Sequence, residues 1–128
     1  MKTYFTADCH FDHSKFYDPE RRTRPFDSSD WGPMLLDQIN THVDRVDRLV
    51  VAGDFAWLRP GYWRQQIRCR HVILILGNHD QEPKCRNVFG GNLYTTRVFK
   101  ILDGIRVFVS HFPHAYWDGS HKGWLHVY

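Results

Sequence analysis

The chain has 128 residues, room for one domain, and its 42% hydrophobic and 24% charged residues are a folding rather than a disordered balance. A net charge of +3 is too small to argue for nucleic-acid binding by itself. No apolar run approaches the ~20 residues that span a bilayer, the N-terminus has no signal-peptide core, and three cysteines (Cys9, Cys69, Cys85) are too few for a disulfide framework, so a reducing, cytoplasmic setting is expected.

Residues 2–7 are rich in β-formers and end in Asp8, which predicts a first strand. Residues 11–30 carry Pro19, Pro25 and many Asp and Ser, and predict a long polar loop of the kind that serves function. Ser29 or Asp30 can cap a helix in which Trp31, Met34, Leu35, Ile39, Val43 and Val46 form one apolar face. Residues 49–52 read as a buried strand ending in Gly53-Asp54, and 61–70 as a short helix after Pro60. Residues 72–76 are the clearest strand and end in Gly77-Asn78-His79-Asp80. Residues 82–92 read as loop or a helical turn. Residues 98–102 and 105–109 flank Asp103-Gly104, a hairpin signal, and the second run ends in Ser110-His111. A loop at 112–124 leads to a further strand at 125–128.

This alternation predicts an α/β fold with a parallel sheet followed by an antiparallel hairpin. In such sheets ligands bind beyond the carboxyl ends of the strands. Four strands end in polar residues there, so Asp8, His10, Asp54, Asn78, His79, Asp80 and His111 are expected on one rim.

Nine His against five Lys, and twelve Asp against two Glu, raise the prospect of metal ligation. Asp8 and His10 share a face if the strand runs through them. Singly, Asp8 and Asp54 are also good turn residues, and a lone His111 is an ordinary structural histidine. Gly77-Asn78-His79-Asp80 is more specific: Asn78 offers a neutral oxygen ligand, His79 a proton, and Asp80 a carboxylate to orient that ring. Together these residues suit a two-metal site for Mn, Fe, Zn, Ni or Co rather than Ca, and a phosphate ester is the natural substrate.

In this order, Asp8-x-His10, Gly53-Asp54, Gly77-Asn78-His79-Asp80 and His111 resemble the calcineurin-like metallophosphoesterase family. The details Asp8-Cys9-His10-Phe11-x-His13, Arg24-Pro25-Phe26 and Ser110-His111-x-Pro113 resemble its small, single-domain bacterial and phage members. The resemblance implies an α/β/β/α sandwich over a single domain, residues 1–128. It implies two divalent metal ions, Mn foremost, with Asp8 and His10 on the first, Asp54 bridging, and Asn78 and His111 on the second. It implies hydrolysis of phosphate mono- or diesters by a two-metal-activated hydroxide, with His79 as proton donor and Asp80 steering it. The family's closing Gly-His-x-His does not appear before Tyr128, so the fold is expected to be C-terminally incomplete and two metal ligands to be missing. His126 lies within the final strand, and His114 and His121 in the loop before it.

His13, Arg24, Arg59, His114, Trp117, His121 and Lys122 fall in loops on the rim side. His13 and Arg24 are the substrate-binding candidates among them, and Trp117 could stack on a base or sugar. Trp31, Trp57 and Trp63 are expected to pack in the core or on helices, and Cys9 to point away from its ligand neighbours. The expected partner is a small phosphate ester or a nucleotide, with nucleic acid open. The alternative function is a non-catalytic binding module of the same fold, or an inactive fragment.

Overall fold

In the computed structural model, which describes residues 1–13, 31–101 and 104–128, the apolar runs pair into two sheets. Strands β1 (Thr3–Thr6), β2 (Arg48–Ala52), β3 (His71–Ile75) and β4 (Leu93–Tyr94) form a parallel sheet in that order. Helices α1 (Trp31–His42), α2 (Pro60–Gln66) and α3 (Glu82–Phe89) all pack on one face of it. Successive side chains of β2 and β3 therefore go to two different cores. Leu49, Val51, Val72 and Leu74 meet Ile39, Trp63, Ile67, Cys85 and Phe89 from the helical side. Val50, Ala52, Ile73 and Ile75 meet Phe99, Val107 and Val109 of the second sheet. Burial on both faces is why these strands read as unbroken apolar runs instead of alternating ones.

The second sheet holds β5 (Thr96–Lys100), β6 (Arg106–Ser110) and β7 (Leu125–Val127). β5 and β6 are antiparallel, and β7 joins β6 in parallel after a crossover that contains a single 3₁₀ turn, Ser120–Lys122. The chain is thus an α/β sandwich, and among the described residues its layers are helix, sheet, sheet. The outer face of the second sheet carries Phe108 and His126, against which His114 and Trp117 pack. No helix among the described residues is long and apolar enough to cross a membrane.

Several boundaries depart from expectation. α1 ends at His42 and not near Val46, which is 64% exposed. Asp47 ends it: its carboxylate accepts the Asp44 N–H at 3.3 Å, and its own N–H donates to Asp44 O at 3.0 Å, closing a polar turn. α2 stops at Gln66, where Ile67 turns extended. Residues 82–89 form a full helix with Pro83 in the first turn, where proline is tolerated. β4 went unforeseen because two residues carry no periodicity. The expected cap at Ser29 or Asp30, residues 14–30 of the loop expected at 11–30 and the turn residue Asp103 lie outside the described residues.

Candidate metal centre

Beyond the ends of β1 and β2 the two chains run on side by side. The Asp8 N–H donates to Gly53 O at 3.1 Å, His10 to Asp54 O at 2.8 Å, Phe11 to Phe55 O at 3.0 Å and Trp57 to Phe11 O at 2.8 Å. Within this ribbon Asp8, His10, Asp12 and Asp54 all have positive φ, from 46° to 65°. A strict strand was expected to put Asp8 and His10 on one face. In fact β1 ends at Thr6, and left-handed turns at Asp8 and His10 aim both side chains. Such conformations persist only where surrounding packing over-determines them. That packing is aromatic. Phe11 stacks on Trp63 of α2 at 4.4 Å between ring centres and meets Phe55 at 5.3 Å, and Phe55 meets Phe89 of α3 at 5.3 Å.

Asp54 is the centre of the cluster and is 3% exposed. Its Oδ2 lies 3.4 Å from His10 Nε2 and 2.6 Å from His79 Nδ1, while its Oδ1 lies 3.6 Å from His111 Nε2. Asp8 Oδ1 lies 3.4 Å from His10 Nε2, and Asn78 Oδ1 lies 2.9 Å from His111 Nε2. Donor atoms of His10, Asp54 and His79, and separately of Asp8, Asp54 and His111, fall within 4.8 Å of one another. Two glycines make this approach possible. A Cβ on Gly53 would lie 2.1 Å from the His111 ring, and one on Gly77 would lie 2.1 Å from Asp54 Oδ1.

The donor set fits divalent cations. Ligand atoms about 2.1 Å from one ion at tetrahedral angles lie about 3.4 Å apart, and His10 Nε2 lies 3.4 Å from both Asp8 Oδ1 and Asp54 Oδ2. The His111 Nδ1–H donates to Ala52 O at 2.9 Å, so in the neutral ring Nε2 carries a lone pair. That lone pair faces the carbonyl oxygen of Asn78, and two facing acceptors are satisfied by a cation between them. His111 comes from the second sheet, so the rim gathers residues from both sheets.

Burial works against the charge of Asp54. The His79 ring and its N–H, with the nearby His111 and His10 rings, outweigh it and hold the carboxyl below its usual range. Asp80 behaves differently from expectation. It was expected to steer His79, but its carboxylate accepts the backbone N–H groups of Asp54 (2.9 Å), Phe55 (2.8 Å) and Gly77 (2.9 Å). Asp54 makes the bond to His79 instead. Asp80 ties the loop after β3 to the loop after β2, and burial, together with the Asp54 charge, still raises its pKa.

His13 is buried beside the centre, its ring 5.4 Å from His10 and 5.8 Å from His79. Trp57, expected to pack in the core or on a helix, is instead exposed at the site and packs on His13 at 4.5 Å and near His79 at 5.5 Å. Its position after Gly53-Asp54 was the available signal. Arg59 forms a two-pronged ion pair with Asp12, at 2.7 and 3.1 Å, which sequence reading missed because the partners are far apart in the chain. Burial alone would raise the Asp12 carboxyl, yet Arg59 pulls it below its ordinary value. Trp63 and Cys9 are buried as expected, and Trp31 donates its indole N–H to Cys9 O at 2.8 Å. His114 and Trp117 lie on the outer face of the second sheet, grouped with His126 and not with Asp54. Exposed His121 and Lys122 lie in the 3₁₀ turn before β7. Arg24 lies outside the described residues.

A family model described as calcineurin-like phosphoesterase matches residues 1–125. The chain belongs to the calcineurin-like phosphoesterase family. Members of that family act on phosphate esters and bind divalent metals, and the His and Asp groups described above are suited to hold one. No curated protein matches the chain. Among solved structures, a protein of unknown function from Aquifex aeolicus, AQ665, superposes with a TM-score of 0.70 at 23% identity. The match covers 87% of this chain and 60% of AQ665, and it carries the fold alone.

Proposed function

We propose that this phosphoesterase-family chain hydrolyses phosphate mono- or diesters at a two-cation centre made of Asp8, His10, Asp54, Asn78 and His111. The observation that carries the reading is Asp54, whose two carboxylate oxygens face two different donor groups, His10 on one side and His111 on the other. Divalent cations bound there, with Mn²⁺ the first candidate, would polarise phosphoryl oxygens and lower the pKa of water. The chain's own part is to hold that charge and manage one proton. The His111 Nδ1–H bond to Ala52 O fixes the ring so that Nε2 faces the site. The His79 Nδ1–H donates to Asp54, which leaves Nε2 of a half-exposed ring to carry a proton toward a departing alkoxide. His13 and Trp57 wall the His79 side, and His13 and Arg24 are proposed to touch substrate. The substrate class is a small phosphate ester or nucleotide, and three buried cysteines support a cytoplasmic setting.

The test is hydrolysis of bis(p-nitrophenyl) phosphate and p-nitrophenyl phosphate with Mn²⁺ added, for the wild-type chain, Asp54→Asn and His79→Ala. Turnover that falls about 100-fold or more in both folded variants is the expected result. A folded chain that binds Mn²⁺ and cleaves neither ester would favour a binding module over an enzyme.

A further inference from the structure

The opposite end of the parallel sheet has its own concentration of charge. Thr3, Arg48 and His71 lie side by side in register at the amino ends of β1, β2 and β3. Their alternation places them on the face that meets the second sheet, in step with Val50 and Ile73. Across the gap stand Arg97 and Phe99 of β5. The Arg48 guanidinium lies 5.9 Å from the centre of the Phe99 ring, and that of Arg97 lies 5.4 Å from the same ring and 4.1 Å from Tyr94. Two adjoining cavities of about 460 and 490 Å³ open here, and both include Arg48 and Lys100 in their lining. Lys2 lines the first, and His71 and Arg97 the second. Among the described residues no Asp or Glu lines either cavity, and none of the four cations Lys2, Arg48, Arg97 and Lys100 makes an ion pair.

Two guanidiniums beside one ring, with aromatic faces and, among the described residues, no carboxylate lining the cavities, leave positive charge there that an anion entering the cleft would meet. Arginine forks suit phosphate oxygens in particular. The cavities are of small-molecule size. We propose that this cleft between the sheets binds an oligophosphate, a short run of linked phosphoryl groups, either as free tripolyphosphate or as the tail of a nucleoside triphosphate. The site is distinct from the Asp54 centre, which lies beyond the carboxyl ends of the same strands.

The experiment is isothermal titration of the whole chain in EDTA with tripolyphosphate, ATP, AMP and single-stranded oligonucleotides, at low and at physiological salt. Arg48→Gln, Arg97→Gln and Asp54→Asn are titrated beside the wild type, each checked for folding by circular dichroism. Tripolyphosphate and ATP are expected to bind alike, AMP far more weakly. Each arginine variant is expected to weaken binding roughly tenfold, with Asp54→Asn unchanged and affinity falling as salt rises. ATP binding well above tripolyphosphate would assign the ligand to the nucleotide source, and equal binding to the phosphate chain itself; either supports the site. Wild-type affinity in both arginine variants, loss of binding in Asp54→Asn, or no binding at all would overturn it. So would affinity that appears only with oligonucleotides and grows with their length, since that marks a nucleic-acid surface.

Discussion

At the scale of single residues, the structure separates His79 and Asp80, which are adjacent in sequence. His79 points into the site and bonds Asp54, while Asp80 turns back and takes three backbone N–H groups. Charge-assisted bonds to buried amides contribute more than neutral ones. Asp80→Asn, which replaces one accepting oxygen by a donor, is therefore expected to cost about 2–3 kcal/mol of stability in chemical denaturation. His79→Ala removes one ring donor from the buried Asp54 carboxylate but keeps the backbone N–H bond to it, and is expected to cost less, about 1 kcal/mol. Equal midpoints for the two variants would return Asp80 to a purely orienting role. His126 offers a test by pH. Its Nε2 lies 2.7 Å from Ser110 Oγ, and that hydroxyl also donates to Phe112 O at 2.7 Å, so the ring is the donor. Burial and the neighbouring His114 ring lower its pKa. A histidine depressed in the folded state binds its proton more readily when unfolded. Its contribution to stability is present above the unfolded value of about 6.5 and is lost as pH falls through that value towards the folded one. Denaturation midpoints should accordingly drop below about pH 6.5, and His126→Gln should flatten that limb. An unchanged slope in the variant would remove His126 from the account.

At the scale of elements, the site is built on chain that has just left its strands. The ribbon formed by residues 8–11 and 53–57 is hydrogen-bonded like a sheet yet turns left-handed at Asp8, His10 and Asp54. The Phe11–Trp63 stack and the Phe55–Phe89 contact bind it to α2 and α3. The glycines decide how closely the loops approach. A Cβ on Gly77 would meet Asp54 Oδ1 at 2.1 Å and the Asp54 backbone nitrogen at 2.4 Å, and backbone in a packed site has little room to yield. Gly77→Ala is thus expected to weaken Mn²⁺ binding by at least about tenfold while the far-ultraviolet spectrum stays native. Titration of the variant with Mn²⁺ checks this, and wild-type affinity would show that the loop after β3 can move aside.

At the scale of the whole molecule, the centre depends on two cores at once. Asp54 and Asn78 hang from the first sheet and His111 from the second, joined by the layer of Ile75, Val107 and Val109 between them. Ile75→Ala should cost about 2–5 kcal/mol and also weaken metal binding, because the cavity lies between the sheets that hold the ligands in register. Leu49→Ala, on the helical side at the far end of β2, should cost a comparable amount and leave metal affinity intact. Paired denaturation and Mn²⁺ titration distinguish the two variants. If both lose affinity equally, the inter-sheet layer has no special part in the site.

The order of amino acids alone carried β1, β2 and β3 with α1 and α2 between them, and the polar residues at the strand ends, but neither β4 nor the full α3. Those features are local: an apolar run, a glycine, and an Asp or His at a fixed step along one stretch of chain. It also carried the ordered motifs that mark the family. The tertiary structure decided what depends on partners far apart in the chain. It placed Trp57 against His13 and His79, spent Arg59 on Asp12, and gave Asp80 three amides in place of one imidazole. It also showed that Asp8 and His10 converge through left-handed turns and not through strand alternation. A carboxylate takes whichever donors the fold brings within reach, and a backbone enters a strained conformation only when packing from elsewhere holds it there.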